Sequence, residues 1–233
     1  MVSLMQRRRA MMQAAAAPTP PAPTPVIPDD YQQVEYVLRS ASVSRNAGYN
    51  SLNYTLNGTD EVEIRVGAMA VGKHYSSSGG YVVGCRQKTN DNTVGYGISF
   101  NQNNTSILSF DGTVCDISPN GGSSILNTKF DLVATKTQTG QSITDGTNSN
   151  ATTGTPRAMA TTLYVFAMKV YSSNNANVPF TGRIYYLKVK EAGVTVIDLI
   201  PCKRKSDNAV GFWDLAQERF VTNANYTAGP DVT

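Results

Sequence analysis

An all-β chain folded as one antiparallel sandwich is what this sequence predicts, on three observations. Its 233 residues suit a single sandwich with a full core. Only 16% of them are charged, while Asn, Ser, Thr and Gly are abundant, a mixture that suits short strands joined by exposed turns rather than helices. From Tyr31 onward, apolar residues repeatedly alternate with polar ones, the period of a half-buried strand.

Two segments precede the predicted sandwich. In residues 1–17, Leu4, Met5, Arg7, Arg8, Arg9, Met11, Met12, Gln13 and the following alanines are good helix formers and predict a short helix. Such a helix is marginal alone in water, so its apolar side (Leu4, Met5, Met11, Met12) calls for a partner, and an anchoring peptide is expected. Three consecutive arginines can face phosphate, an acidic protein surface or solvent. Residues 18–30 are a Pro-rich spacer, because PTPPAPTPVIP over 18–28 favours extended polyproline geometry. That run reaches about 34 Å at about 3.1 Å per residue.

The sandwich itself is expected over residues 31–233. Residues 31–37 alternate, and so do 61–66, where Glu61, Glu63 and Arg65 share one face and Val62, Ile64 and Val66 the other. Residues 80–84, 95–100 and 106–110 read as short strands, and Asp111-Gly112 as a hairpin turn leading into 113–115. Residues 129–135 and 141–146 follow, the latter ending in Asp145-Gly146. A Thr- and Asn-rich loop then precedes a buried strand over 163–167. The closing quarter holds an alternating strand at 183–190, a two-residue Ala192-Gly193 reversal, a strand at 194–200 and a hairpin over 211–223, in which Trp213 is expected to pack on the hairpin or in the core.

That closing quarter carries a resemblance. Ile184-Tyr185-Tyr186-Leu187-Lys188-Val189, then Asp198-Leu199-Ile200-Pro201-Cys202-Lys203-Arg204-Lys205-Ser206-Asp207, then Gly211-Phe212-Trp213-Asp214-Leu215 with Phe220-Val221-Thr222-Asn223-Ala224 follow one another. This order resembles the end of concanavalin-A-like, laminin-G-type jelly-roll domains of bacteriophage virion proteins and related bacterial surface proteins. The resemblance implies an antiparallel jelly-roll β-sandwich. It also implies a structural role on the virion surface, as a capsid decoration or head-fibre subunit made in the bacterial host cytoplasm. Its N-terminal arm would bind the major capsid or other virion proteins, and a homotrimer is the expected assembly. The alternative it implies is a receptor-binding tail protein or lectin-like adhesin. For a bacterial surface glycan, the aromatic faces of Tyr75, Tyr81 and Tyr96 beside Asn101 and Asn103 are the candidate contacts.

Other chemistries are poorly served. A net charge of +3, which the three arginines alone would supply, is too small for a nucleic-acid-binding face. Cys85, Cys115 and Cys202 include no Cys-x-x-Cys pair and are expected to be buried thiols. Residues 1–17 lack the apolar run of a secretory signal, and no apolar window is long enough to span a membrane. Glu61 and Glu63 are the best catalytic candidates, since jelly-roll glycosidases carry Glu-x-Asp-x-x-Glu on a strand. Here Glu63 replaces the Asp, and Arg65 and Val66 stand where a third carboxylate could fall, so no catalysis is expected. His74, the chain's single histidine, reads as an exposed or hydrogen-bonded loop residue. Asp91, Asn92, Asp111, Asp116 and Asp145 lie in plausible loops for calcium, which laminin-G relatives often bind, but match no calcium motif. No cofactor and no resident metal is expected.

Overall fold

The structure, a computed structural model, describes residues 26–44, 47–57, 60–74, 79–89, 92–110, 114–154, 162–170 and 178–233. The expected N-terminal helix and residues 18–25 of the spacer lie outside the described residues. In chain order the strands are β1 (Tyr31–Gln33), β2 (Val37–Arg39), β3 (Asn50–Thr55), β4 (Val62–Ala70), β5 (Gly80–Thr89), β6 (Asn92–Phe100), β7 (Ile107–Phe110), β8 (Val114–Ile117) and β9 (Lys129–Lys136). They continue with β10 (Gly140–Thr144), β11 (Ser149–Thr153), β12 (Thr162–Val165), β13 (Met168–Val170), β14 (Gly182–Glu191), β15 (Val194–Arg204), β16 (Val210–Asp214), β17 (Arg219–Thr222) and β18 (Tyr226–Ala228).

Two sheets pack face to face. The larger runs β11-β10-β9-β4-β14-β15-β16-β17, with β1 on β15, β2 on β14 and β18 on β2; the smaller runs β3-β12-β5-β6-β7-β8, with β13 on β5. The alternation of β4 builds the interface directly. Val62, Ile64 and Val66 are buried in the core, while Glu63 and Arg65 look outward and pair with each other at 2.8 Å. Between the sheets lies an aromatic cluster in which Phe166 sits 5.1 Å from Tyr226, 6.1 Å from Phe212 and 6.4 Å from Phe180, ring centre to ring centre. Phe166 adopts φ +61°, a left-handed conformation rare for a bulky side chain, at the bend between β12 and β13. Leu163 to Ala167 therefore forms a short strand and a bend, because the chain must reverse to lay β13 parallel on β5.

The β14–β15 reversal forms at Ala192 (φ +49°) and Gly193 (φ +78°), the positive pair that a two-residue hairpin requires. β14 contains a bulge: Ile184 pairs with Ala68 but Tyr186 pairs with Gly67, leaving Tyr185 as the extra residue. Ile184 and Leu187 consequently both face the core, and Tyr185 and Tyr186 are both half-buried on the outer side. The expected single strand over 31–37 is instead two pieces, β1 and β2. Val34 and Val37 are both buried, and a spacing of three cannot be met without bending the chain between them.

Side chains seal both corners where the sheets meet. At one, Asn50 Nδ2 donates to the Thr222 carbonyl at 2.9 Å, Asn223 Nδ2 to that of Tyr49 at 3.3 Å, and Arg219 to that of Leu52. At the other, Asn150 Nδ2 donates to the Asp116 carbonyl on β8 at 2.8 Å, and its Oδ1 accepts from the Ala151 N–H at 2.8 Å. The register places both chain ends of the body together. Val34 bridges Asp231, and the Val232 N–H donates to the Gln33 carbonyl at 3.0 Å.

Candidate functional site

The residues expected to hold a glycan are not brought together. Tyr96 is completely buried, its hydroxyl 3.4 Å from the Val62 carbonyl, and Tyr81 is 7% exposed, packed with Met168 and Val178. Neither ring offers a face to a sugar: Tyr96 fills the sandwich core, and Tyr81 is closed over in a separate buried cluster with Met168 and Val178. Asn101 is spent on its own turn, with Nδ2 donating to Thr105 Oγ1 at 2.8 Å and Oδ1 accepting from the Thr105 N–H at 2.8 Å. Asn103 is exposed, and Tyr75 lies outside the described residues.

His74 is buried rather than exposed. The Thr181 N–H donates to its Nδ1 at 3.2 Å, which leaves the proton on Nε2, 2.9 Å from Asn104 Oδ1. Asn104 in turn donates to the Gly72 carbonyl at 3.2 Å, and the imidazole stacks on Phe180 at 5.4 Å. Burial holds its pKa down at about 4, so the neutral ring joins three loops. The Gly80 Cα passes so close that a Cβ there would stand 2.3 Å from His74 Nδ1.

Glu63 is held by Arg65 and Lys190, and these cations keep its carboxyl below the usual range; a general acid needs the opposite shift. Glu61 is exposed just before β4. Of the calcium candidates, Asp145 closes the β10–β11 turn. Burial works against its charge, but the N–H groups of Asn148 and Thr147 outweigh it. Asp116 is exposed on β8, Asp91 and Asp111 lie outside the described residues, and among the described residues no three His, Cys, Asp or Glu cluster as metal ligands. All three cysteines are buried free thiols, and burial pushes that of Cys202 up to about 12.

What sequence reading missed is the outer face of the large sheet. Register alone assembles a row across it. Tyr186 lies opposite Gly67, which lies opposite Asp131, while Ile200 lies opposite Trp213, which lies opposite Phe220. Tyr186 and Ile200 are joined by being one step beyond the Leu187–Leu199 pair. The Tyr186 ring lies flat over Gly67, where a Cβ would meet it at 2.8 Å, and burial with the nearby Asp131 carboxylate pushes its pKa up to about 12. Tyr31 packs its ring 4.9 Å from both Trp213 and Phe220, and Arg204 lies 5.5 Å over Phe220. Trp213 is thus hairpin packing on the outside, and Phe212 is the core residue. A second aromatic group, Tyr36 and Tyr185 at 5.5 Å, carries Arg183 at 4.4 Å and Lys129 at 4.6 Å. The signal for the first row was the Ile-Pro-Cys and Gly-Phe-Trp-Asp register, readable only once the strands were paired. Further along the same sheet, a shallow depression of about 240 Å³ over β9–β11 is lined by Thr135, Thr137, Thr139, Ser142, Thr152 and Thr153, hydroxyls without a charged group.

No protein-family model matches this chain, and no curated protein sequence does either. Among solved structures, it is similar to the mouse laminin alpha1 chain, domains LG4-5, with a TM-score of 0.55 and 14% identity over 86% of this chain. The chain spans 47% of that structure's length. A second match, SCP-B, a member of the eqolisin family of peptidases in complex with the tripeptide Ala-Ile-His, has a TM-score of 0.29 at 12% identity over 66% of this chain and 84% of that one, and carries no argument. The fold is therefore a laminin-G-like, concanavalin-A-like jelly-roll sandwich.

Proposed function

We propose that this chain is a structural surface protein of a phage virion. The N-terminal arm binds capsid or other virion proteins, and the laminin-G-like body faces outward without catalysing a reaction. The observation that supports this reading is the polarity of the body. The arm leaves at Pro28, beside the C-terminal residues that pair with β1, so the arm and the last residues of the body are at one end. The turns at Ala192–Gly193 and 215–218 lie at the other end, free to face outward. The phage setting rests on the resemblance of the Ile200–Asp207 run. The test is co-sedimentation with purified particles: the full chain travels with them, and a chain lacking residues 1–17 folds but stays behind. Normal incorporation of the shortened chain would sink the reading.

A second reading, recognition of a bacterial surface glycan, draws on the half-buried Tyr36–Tyr185 pair beside Arg183 and Lys129. Such rings present apolar faces next to hydrogen-bond donors. A glycan array probed with the full chain decides it, and silence removes it.

A further inference from the structure

The described chain starts at Val26, and the first few residues restrict where the preceding ones can run. The Tyr31 N–H donates to the Pro28 carbonyl at 2.9 Å, closing a turn that redirects the chain as it enters β1. On one side β1 is paired with β15, Tyr31 opposite Arg204. On its other side lies the C-terminus, with Gln32 Nε2 donating to the Val232 carbonyl at 3.1 Å. The turn itself is pinned, since the Lys205 N–H donates to the Asp30 carbonyl at 2.9 Å and Lys205 Nζ to that of Asp29 at 2.6 Å. Both in-plane neighbours of β1 are taken, and just beyond it Val34 is buried. The open surface beside the turn is the outer face, where Tyr31, Trp213 and Phe220 form an aromatic shelf.

We propose that this shelf binds the chain's own proline-rich run, residues 18–25, as a polyproline II helix. The match is one of spacing and chemistry. Polyproline II has three residues per turn and rises about 3.1 Å per residue, so Pro20, Pro23 and Val26 form one ridge with a step of about 9 Å. Strands lie about 4.8 Å apart, so that step spans two strands of the row Phe220, Trp213, Ile200, Tyr186. Val26, at the end of the ridge, is an apolar side chain 80% exposed, and it is covered when the run docks. A polyproline II segment has no internal hydrogen bonds and offers its carbonyls to donors. The Trp213 indole N–H has no acceptor among the described residues, which leaves it to one of those carbonyls. Residues 18–25 carry no charge, so docking desolvates none.

Trp213 is the chain's single tryptophan, so its fluorescence reports on the shelf alone. The experiment compares acrylamide quenching of the full chain with that of a full-length variant carrying Pro18→Ser, Pro20→Ser, Pro21→Ser and Pro23→Ser. These positions precede the described body, and thermal melting of both proteins checks that it stays folded. The expected result is a quenching constant several-fold higher in the variant, brought back toward the parent value by excess of the synthetic peptide PTPPAPTPVIP. Protection in the parent should be the same at every protein concentration. Equal quenching in the two proteins overturns the proposal. So does protection that fades on dilution, which would assign the shelf to a second copy's segment.

Discussion

Protonating His74 removes the acceptor that the Thr181 N–H uses. Its folded pKa of about 4 lies below the ordinary 6.5, so the unfolded chain binds the extra proton first. Stability from this group is complete above pH ~6.5 and is lost as the pH falls toward ~4, by about 3 kcal/mol at ~1.4 kcal/mol per unit. Asp214, whose carboxyl is raised by burial, works in the opposite direction, so the comparison must be made between proteins. His74→Gln keeps one donor and one acceptor without a titrating proton. Its melting temperature should fall less than the parent's between those pH values; parallel curves would show that the imidazole is not the source. Gly67 makes a second test at this scale. Gly67→Val drives a side chain into the Tyr186 ring and should cost about 1–3 kcal/mol in denaturant unfolding, with Tyr186→Ala in the same chain relieving part of the clash.

Among the elements, β11 is the edge of the large sheet, and Asn150 is what protects it. Its amide accepts from Ala151 on its own strand and donates to Asp116 on β8, covering the middle of an edge that has neither Lys nor Pro. Asn150→Ala should lower stability by about 1–2 kcal/mol and speed amide exchange at Ala151, with chain association increasing at high concentration. Unchanged exchange at Ala151 would assign the corner's closure to other groups. β11 also shows what could not be read in advance. Ser149-Asn150-Ala151-Thr152-Thr153 has no apolar alternation, and it is a strand because β10 supplies its partners. β4 and the second half of β14 were legible because Val62, Ile64 and Val66, and then Leu187 and Val189, take inward positions at a spacing of two. The glycan residues were misplaced for a related reason. Tyr81 and Tyr96 lie beside loops in sequence, but Tyr96 is part of the core and Tyr81 is covered by Met168 and Val178, a contact only the fold defines. Arg39 left no signal either. It is fully buried, and its guanidinium donates to the carbonyls of Ser44, Ala47 and Phe180, a role fixed by a loop whose path only the fold defines.

For the whole molecule, the expected association through residues 1–17 would make mass depend on the arm and not on the body. Light scattering should give a mass above the monomer's for the full chain, with a trimer expected, and a monomer for a chain starting at Val26. Monomers from both would leave the arm without a self-associating role. The body should melt in one cooperative step in either case, since a single core joins both sheets. The adjacency of Val34 and Asp231 has a consequence for topology. Ends this close can be joined by a short Gly-Ser bridge and new ends opened elsewhere. The Ala192–Gly193 turn is exposed and stands at the far end of the longest hairpin, so a permuted chain cut there should still fold. A peptide fused after Thr233 would sit at the root of the body, whereas one fused at the permuted terminus would project from its tip.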